Sequence, residues 1–437
     1  MRWIPPLRPR ARQAFWYDLA GSVLFGLFTG MVVPFLPIVA RRIGASSLQV
    51  SLVVAAPAAG LVLTAWWSVL IAGRNPIQFI TWPGVLARGL FLLTPFVPSP
   101  AAFTALVLSF QVLNGVTVPA YASAVRLLFP AEFRGTLLGL VRTGLSGAAI
   151  LGSLLAGPAL QWVGHRIVFP IASLLGIASA LVYIRIRPPR SYALAPRPPF
   201  REAWRVAWAD VRFRRVLVIS TVFGFGGWTM APAVPLLLVD VFGATNAQVG
   251  VLAATTSFAS LLGFVGWGRL VDRSSGLHVL RTVFAASILT PLLYLLAPSP
   301  WFAILPAAAD GLFVAGVELA WMATVMELAP PDRVTHYAGA YTSLIGLRGL
   351  VAPPLAGLLA EAFGPRPVFL LAAAFIAAAG ILGWSSLPAE STGGVRPQEE
   401  GGDRQGEQGH DPGRAPSLTP QDPCMTHPER RDRARRR

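Results

Sequence analysis

The chain has 437 residues, of which 54% are hydrophobic and 13% charged, with a mean hydropathy of +0.59 and a formal charge of +16. A soluble domain carries about 25% charged residues, so this composition excludes a protein whose main solvent is water. All 36 basic residues are arginine; without lysine there is no Walker phosphate loop and no lysine Schiff base, which excludes an ATP-driven motor of that type.

Residues 1–15 form a short basic segment with Arg2, Arg8, Arg10 and Arg12. Six apolar runs follow, at 19–40, 50–73, 77–97, 101–125, 136–163 and 167–184. Each is near or above the roughly 20 residues that cross a bilayer core as a helix. Asp18 heads the first run and is read as favouring the positive end of its helix. That run contains Pro34 and Pro37 and no small-residue cleavage site follows it, so it reads as an uncleaved span, not a signal peptide. A Pro/Arg-rich connection at 185–214 comes next, and nine arginines lie between Arg185 and Arg215. Six more apolar runs occupy 216–239, 248–267, 277–297, 301–326, 337–360 and 367–387. The tail at 388–437 balances nine arginines against nine acids, is rich in Gly, Pro and Gln, and reads as disordered. The single cysteine, Cys424, lies in that tail, so no internal disulfide can form.

The positive excess therefore belongs to the membrane portion, which argues against nucleic acid as a partner. Arg74, Arg134, Arg269, Arg273, Arg281 and Arg333 follow even-numbered runs, on the side of the N-terminal arginines and the 185–214 connection. Only Arg41, Arg42, Arg166 and Arg366 fall on the other side. The positive-inside rule places both termini in the cytoplasm and the protein, multi-pass, in the cytoplasmic (inner) membrane.

The chain also repeats itself. RIGASSLQV at 42–50 is echoed by FGATNAQV at 242–249, SVLFG at 22–26 by STVFG at 220–224, and LLAGPALQWVGHRIVF at 154–169 by PLAGLLAEAFGPRPVF at 354–369. In the first pair, Ser46 or Thr245 suits an N-cap with Gln49 or Gln248 reaching back, and Gly44 or Gly243 suits a left-handed helix end. Two copies of a six-helix unit, at 16–184 and 215–387, are expected. An even number of crossings in each makes them parallel, related by an axis along the membrane normal.

Over residues 16 to about 387 the sequence resembles the major facilitator superfamily of secondary transporters. GRLVDRSSG at 268–276 is close to the family signature Gly-x-x-x-Asp-Arg-x-x-Gly. VLIAGRNPI at 69–77 keeps Arg74 but has Gly73 in place of the acid. LSFQVLNGV at 108–116 resembles the fourth-span pattern Arg-x-x-Gln-Gly, with Gln111 and Asn114 at its polar positions, and LGSLLAGPAL at 151–160 is a loose match to the Gly/Pro-rich fifth-span motif of exporters. The resemblance implies an all-α integral membrane fold of twelve transmembrane helices in two pseudo-symmetric six-helix bundles. It implies a conformational latch at Asp272 and Arg273, with Gly268 and Arg74.

Charges inside a span are costly and mark function or pairing. Asp310 and Glu318 lie inside the tenth run and Arg348 about twelve residues into the eleventh, at a depth similar to that of Glu318. A Glu318–Arg348 ion pair is expected, either as part of a coupling site or as a static lock on the second half. Asp310, about 12 Å along the helix from Glu318, is a candidate relay. Trp321 and Met322 share the face of Glu318, and Tyr121 is equivalent to Trp321 in the repeat. These aromatics suit a cavity for apolar or cationic organic substrates, or else ordinary interhelical packing. Gln111 and Asn114 complete the cavity set. Arg88 is mid-span and needs a partner that the sequence does not name; Arg126 and Arg142 can snorkel.

The reading is a monomeric secondary transporter, not an enzyme, with no cofactor and no metal site. It would move a small amphiphilic organic solute by alternating access, as proton-coupled efflux, with protons and membrane lipid as its other partners. Uptake by proton symport is the rival, and a non-transporting sensor or lipid carrier of the same fold is the alternative from another class.

Overall fold

The computed structural model describes residues 7–71, 73–130, 132–186, 205–206, 208–330 and 333–386. Most of the 185–214 connection, and the tail with Cys424, lie outside the described residues. All regular structure among those described is helical. Eleven helical segments are long and apolar enough to cross a membrane. They are span 1 (Pro9–Arg42), span 3 (Pro76–Phe96), span 4 (Pro100–Leu128), span 5 (Arg134–Trp162), span 6 (His165–Arg185), span 7 (Val211–Val241), span 8 (Asn246–Arg273), span 9 (Gly276–Leu296), span 10 (Ile304–Leu328), span 11 (Val334–Phe363) and span 12 (Pro365–Ser386). Span 2 is two collinear pieces in sequence, Ser47–Val62 and Thr64–Ile71, interrupted at Leu63. Pro57 lies inside the first piece, which continues through it to Val62.

The turns form as the sequence dictates. The Gln49 N–H donates to Ser46 Oγ (3.2 Å) and the Ser46 N–H donates to Gln49 Oε1 (3.0 Å). The same reciprocal pair joins Gln248 and Thr245, at 3.2 and 2.8 Å. Gly44 (φ +94°) and Gly243 (φ +58°) occupy the left-handed region just before these caps. Within each bundle the helices approach at small residues, because apolar lipid gives them no hydrophobic reason to associate and close backbone contact must do so. A Cβ on Gly30 would run into the Ala149 carbonyl, joining spans 1 and 5, and one on Gly115 would lie 2.9 Å from Gly60 Cα, joining spans 4 and 2.

Span 5 packs on span 8 and span 2 on span 11, bringing the two bundles together. The crossings lie toward one face: Gly157 against Asn246 and Ala247, Gly250 against Ser153, and Gly357 against Ser51. On that face the two echoed turns meet each other. Arg41 Nε donates to both oxygens of Asp240, at 2.8 and 3.0 Å. Arg42 donates to Asn246 Oδ1 (2.5 Å) and to the Ala244 carbonyl. On span 5, Gly139 and Gly135 follow the helix face that carries Gly157, yet a Cβ on either would meet nothing within 4 Å, so the contact with span 8 does not extend to the opposite face. The molecule is closed at the face carrying residues 41–46 and 240–246 and open at the other.

Candidate functional site

A cavity of about 940 Å³ runs through the second bundle. Its walls come from spans 7 to 12, and Pro34, Pro37 and Ile38 of span 1 close it on the clamped face. Its far end reaches Val334 and Ala338, the first turns of span 11, so it leads to the open face. Most of the lining is apolar, with Trp228, Tyr294, Trp321 and Tyr341 among the aromatics.

Three charged side chains line it: Asp310, Glu318 and Arg348. One stripe of span 10 supplies the acids, since residues 310, 314, 317, 318, 321, 322 and 325 all face the cavity with helical spacing. The expected stripe of Glu318, Trp321 and Met322 is thus present. The expected Glu318–Arg348 ion pair is not: no salt bridge joins these two residues. The depths match, but Arg348 turns toward span 7. There its Nη1 donates to the Ser220 carbonyl (2.5 Å), its guanidinium carbon sits 5.5 Å from the Tyr341 ring centre, and Gly224 leaves the space it fills. Arg348 is 6% exposed and its Nε has no hydrogen-bond partner.

The first-bundle candidates go elsewhere. Tyr121 does not line the cavity; it donates to Asp18 Oδ2 (3.1 Å), while Tyr183 donates to Oδ1 (2.7 Å). Asp18 is therefore not a helix-end residue. Span 1 begins at Pro9, ahead of the apolar run, which puts Asp18 in its third turn, 2% exposed and bonded to spans 4 and 6. Gln111 packs its backbone carbonyl against Gly60, and Asn114 Oδ1 is buried without a partner; neither faces the cavity. Arg88 finds its partners in span 6, donating to the Gly176 carbonyl (2.9 Å) and Ser179 Oγ (2.5 Å) beneath the Phe25 ring, 4.3 Å away. Asp272, Arg273 and Arg74 are exposed at the open face and make no ion pair with one another, while Gly268 is half-buried beside Leu319.

The repeat shows how the second bundle comes to be hollow. At an offset of 200, Asp310 corresponds to Phe110, Tyr294 to Thr94 and Glu318 to Val118. Phe110 packs edge-on against Phe28 and Phe91, with ring centres 5.9 and 5.0 Å apart, and Phe91 packs on Phe169. Aromatic rings fill in the first bundle what the second leaves open. Sequence inspection missed Tyr294, Tyr341, Trp228 and Gly224 as lining or shaping residues. Comparing the two copies position by position is the signal that finds Tyr294, because a buried aromatic with no counterpart in the twin has no packing duty inherited from the fold.

The description "Major Facilitator Superfamily" matches residues 19–232 and 216–420. Curated relatives include the multi-drug resistance efflux pump PmrA of Streptococcus pneumoniae serotype 4, 24% identical over 374 residues that cover 80% of this chain and 90% of the pump. The multidrug resistance protein MdtG of Dickeya zeae is 27% identical over 294 residues, covering 64% of this chain and 70% of MdtG. Among solved structures, the nucleoside transporter NupG superposes with a TM-score of 0.67 at 12% identity, covering 86% of this chain and 98% of NupG. A bacterial homolog of the human lysosomal transporter Spinster, inward-facing and unoccupied, gives 0.65 at 17% identity, covering 87% and 97%. With twelve helices in two bundles, a clamp joining the repeated turns on one face and a largely apolar cavity carrying three charged side chains that opens on the other, the chain belongs to the Major Facilitator Superfamily of transporters.

Proposed function

We propose that the protein exports amphiphilic organic molecules across the cytoplasmic membrane in exchange for protons, as a monomer with both termini in the cytoplasm. The observation that carries this reading is the cavity itself, large and apolar, with two carboxylates that have no salt-bridge partner. A carboxylate in such a wall binds either a proton or a cationic group of the substrate, and that competition is what antiport requires. The names of the curated relatives, multi-drug efflux proteins, support the direction.

In this reading Glu318 is the coupling group and Asp310, deeper in the cavity, the relay. The bundles at 16–184 and 215–387 rock about the crossings of spans 2, 5, 8 and 11, joined by the connection at 185–214. The open face is cytoplasmic. Asp272 and Arg273 there, with Gly268 and Arg74, engage only when that face closes, which accords with their exposure in the present conformation.

The test is proton-gradient-driven movement of lipophilic dyes and drugs in inverted membrane vesicles. Wild-type protein is expected to move a subset of the panel, and Glu318→Gln to bind the same compounds but fail to accumulate them against a gradient. Equal transport by both would remove Glu318 from the coupling path. Movement only in right-side-out vesicles would establish uptake instead.

A further inference from the structure

Arg348 is an odd presence in the fold, and the repeat shows why. Gly224 answers to Gly26 in the echoed pair STVFG and SVLFG, and Arg348 stands 200 residues after Ala148. In the first bundle these two positions form a tight joint: a Cβ on Gly26 would lie 2.9 Å from Ala148 Cβ, and spans 1 and 5 touch there. In the second bundle the same joint between spans 7 and 11 is wedged by a guanidinium, into which any Cβ at Gly224 would run. The architecture closes this joint with alanine in one copy, so it does not need arginine in the other.

The arginine is also left undercommitted. A guanidinium has five N–H donors. Here one goes to the Ser220 carbonyl, the neighbouring Tyr341 offers its hydroxyl and ring but no counter-charge, and Nε has no partner. Ser220 Oγ, beside it, is also buried without a partner. A buried cation kept without a carboxylate is costly unless an anion comes to it. Arg348 lines the same cavity as Glu318 and Asp310, which present the opposite charge from span 10.

We infer that the second-bundle cavity takes zwitterionic amphiphiles, with the acidic group of the substrate on Arg348, the basic group on Glu318 and the apolar body against Trp228 and Trp321. This deepens the export reading above and rests on it for the direction of transport, but not for binding. Planar guanidinium–carboxylate pairing gives the site both strength and orientation. Competition between protons and the basic group at Glu318 then remains the coupling step, while Arg348 holds the acidic end.

The test uses the full-length protein in neutral detergent and three probes with one apolar body: 2-amino-8-phenyloctanoate (zwitterion), 2-amino-8-phenyloctanamide (cation) and 8-phenyloctanoate (anion). Dissociation constants come from microscale thermophoresis near neutral pH. The zwitterion is expected to bind at least about tenfold tighter than either single-charge probe, about 1.4 kcal/mol. Arg348→Ala should bring the zwitterion to the level of the cation without moving the cation, and Glu318→Gln should bring it to the level of the anion. The Ala148 joint implies that Arg348→Ala folds; should it not, the three wild-type constants and Arg348→Lys decide. Equal binding of zwitterion and cation, a preference that survives Arg348→Ala, or no binding of any probe overturns the inference. No gradient is involved: a protein that discriminates the probes but does not pump defeats only the export reading, and one that pumps dyes without this discrimination defeats only the inference.

Discussion

The clamp on the closed face can be dissected, because its two arginines differ in what they leave behind. Arg41 and Asp240 form a pair whose side chains are 28% and 32% exposed. Exposed pairs of this kind contribute about 0.2–1 kcal/mol, and after Asp240→Asn the Arg41 side chain still reaches the Ala45 carbonyl at 2.7 Å. Arg42 is different, since its partner Asn246 is only 7% exposed. Removing Arg42 strands a buried acceptor, which costs about 1–3 kcal/mol. If the clamp opens during the cycle, these losses fall on the closed state alone. Asp240→Asn should then raise the open population by no more than about fivefold, and Arg42→Ala by about five- to a hundredfold, at 1.4 kcal/mol per decade. The assay replaces Cys424 with serine and places a reporter with Val234→Cys, on the cavity wall near the clamp. A membrane-impermeant maleimide is applied from the closed side in whole cells. Labelling rates should rank Arg42→Ala well above Asp240→Asn, and Asp240→Asn near wild type at high salt, where exposed pairs are screened. Equal acceleration by both, or by neither, would refute the argument.

Other consequences can be read from thermal unfolding of the purified protein in neutral detergent. Gly30→Ala should destabilise by about 1–3 kcal/mol, because the new methyl must push spans 1 and 5 apart, whereas Gly147→Ala, with open space around it, should be neutral or slightly stabilising. Arg88→Ala should cost about 2–4 kcal/mol through the void it leaves. Arg88→Met should stay within about 1 kcal/mol of wild type, since the Gly176 carbonyl keeps the Ser179 hydroxyl as donor and no carboxylate is stranded. Tyr183→Phe should cost more than Tyr121→Phe, about 1–3 kcal/mol against less than 1, because the Tyr183 bond to Asp18 is shorter and fully buried.

What the sequence disclosed and what it withheld divide along a physical line. Caps, turns and spans are local. Ser46 with Gln49, Thr245 with Gln248, and the left-handed Gly44 and Gly243 could all be read within a few residues of themselves. The depth of a charge is also local, so Glu318 and Arg348 were placed at matching levels. Which way a side chain faces across a bundle is not local. Arg348 rotates to span 7 rather than span 10 because Gly224 offers it room, and no feature of span 11 announces that. Tyr121 had the right depth for a cavity, but only the packing of spans 1, 4 and 6 reveals that Asp18 claims its hydroxyl. Asp18 itself was misjudged because hydropathy marks where apolar residues begin, while the helix starts ten residues before the run, at Pro9.

The unequal joint at Gly26–Ala148 and Gly224–Arg348 bears on why both units share one chain. A symmetric dimer of separate six-helix subunits must carry every residue twice. Two copies of the second unit would carry two buried guanidiniums and four cavity acids. Two copies of the first would be filled with phenylalanine and have nowhere to put a ligand. Fusion lifts that arithmetic and permits an odd number of charges at the centre of the membrane. Arg348 can then stand in the cavity wall of one unit without a twin in the other, where the same position is Ala148.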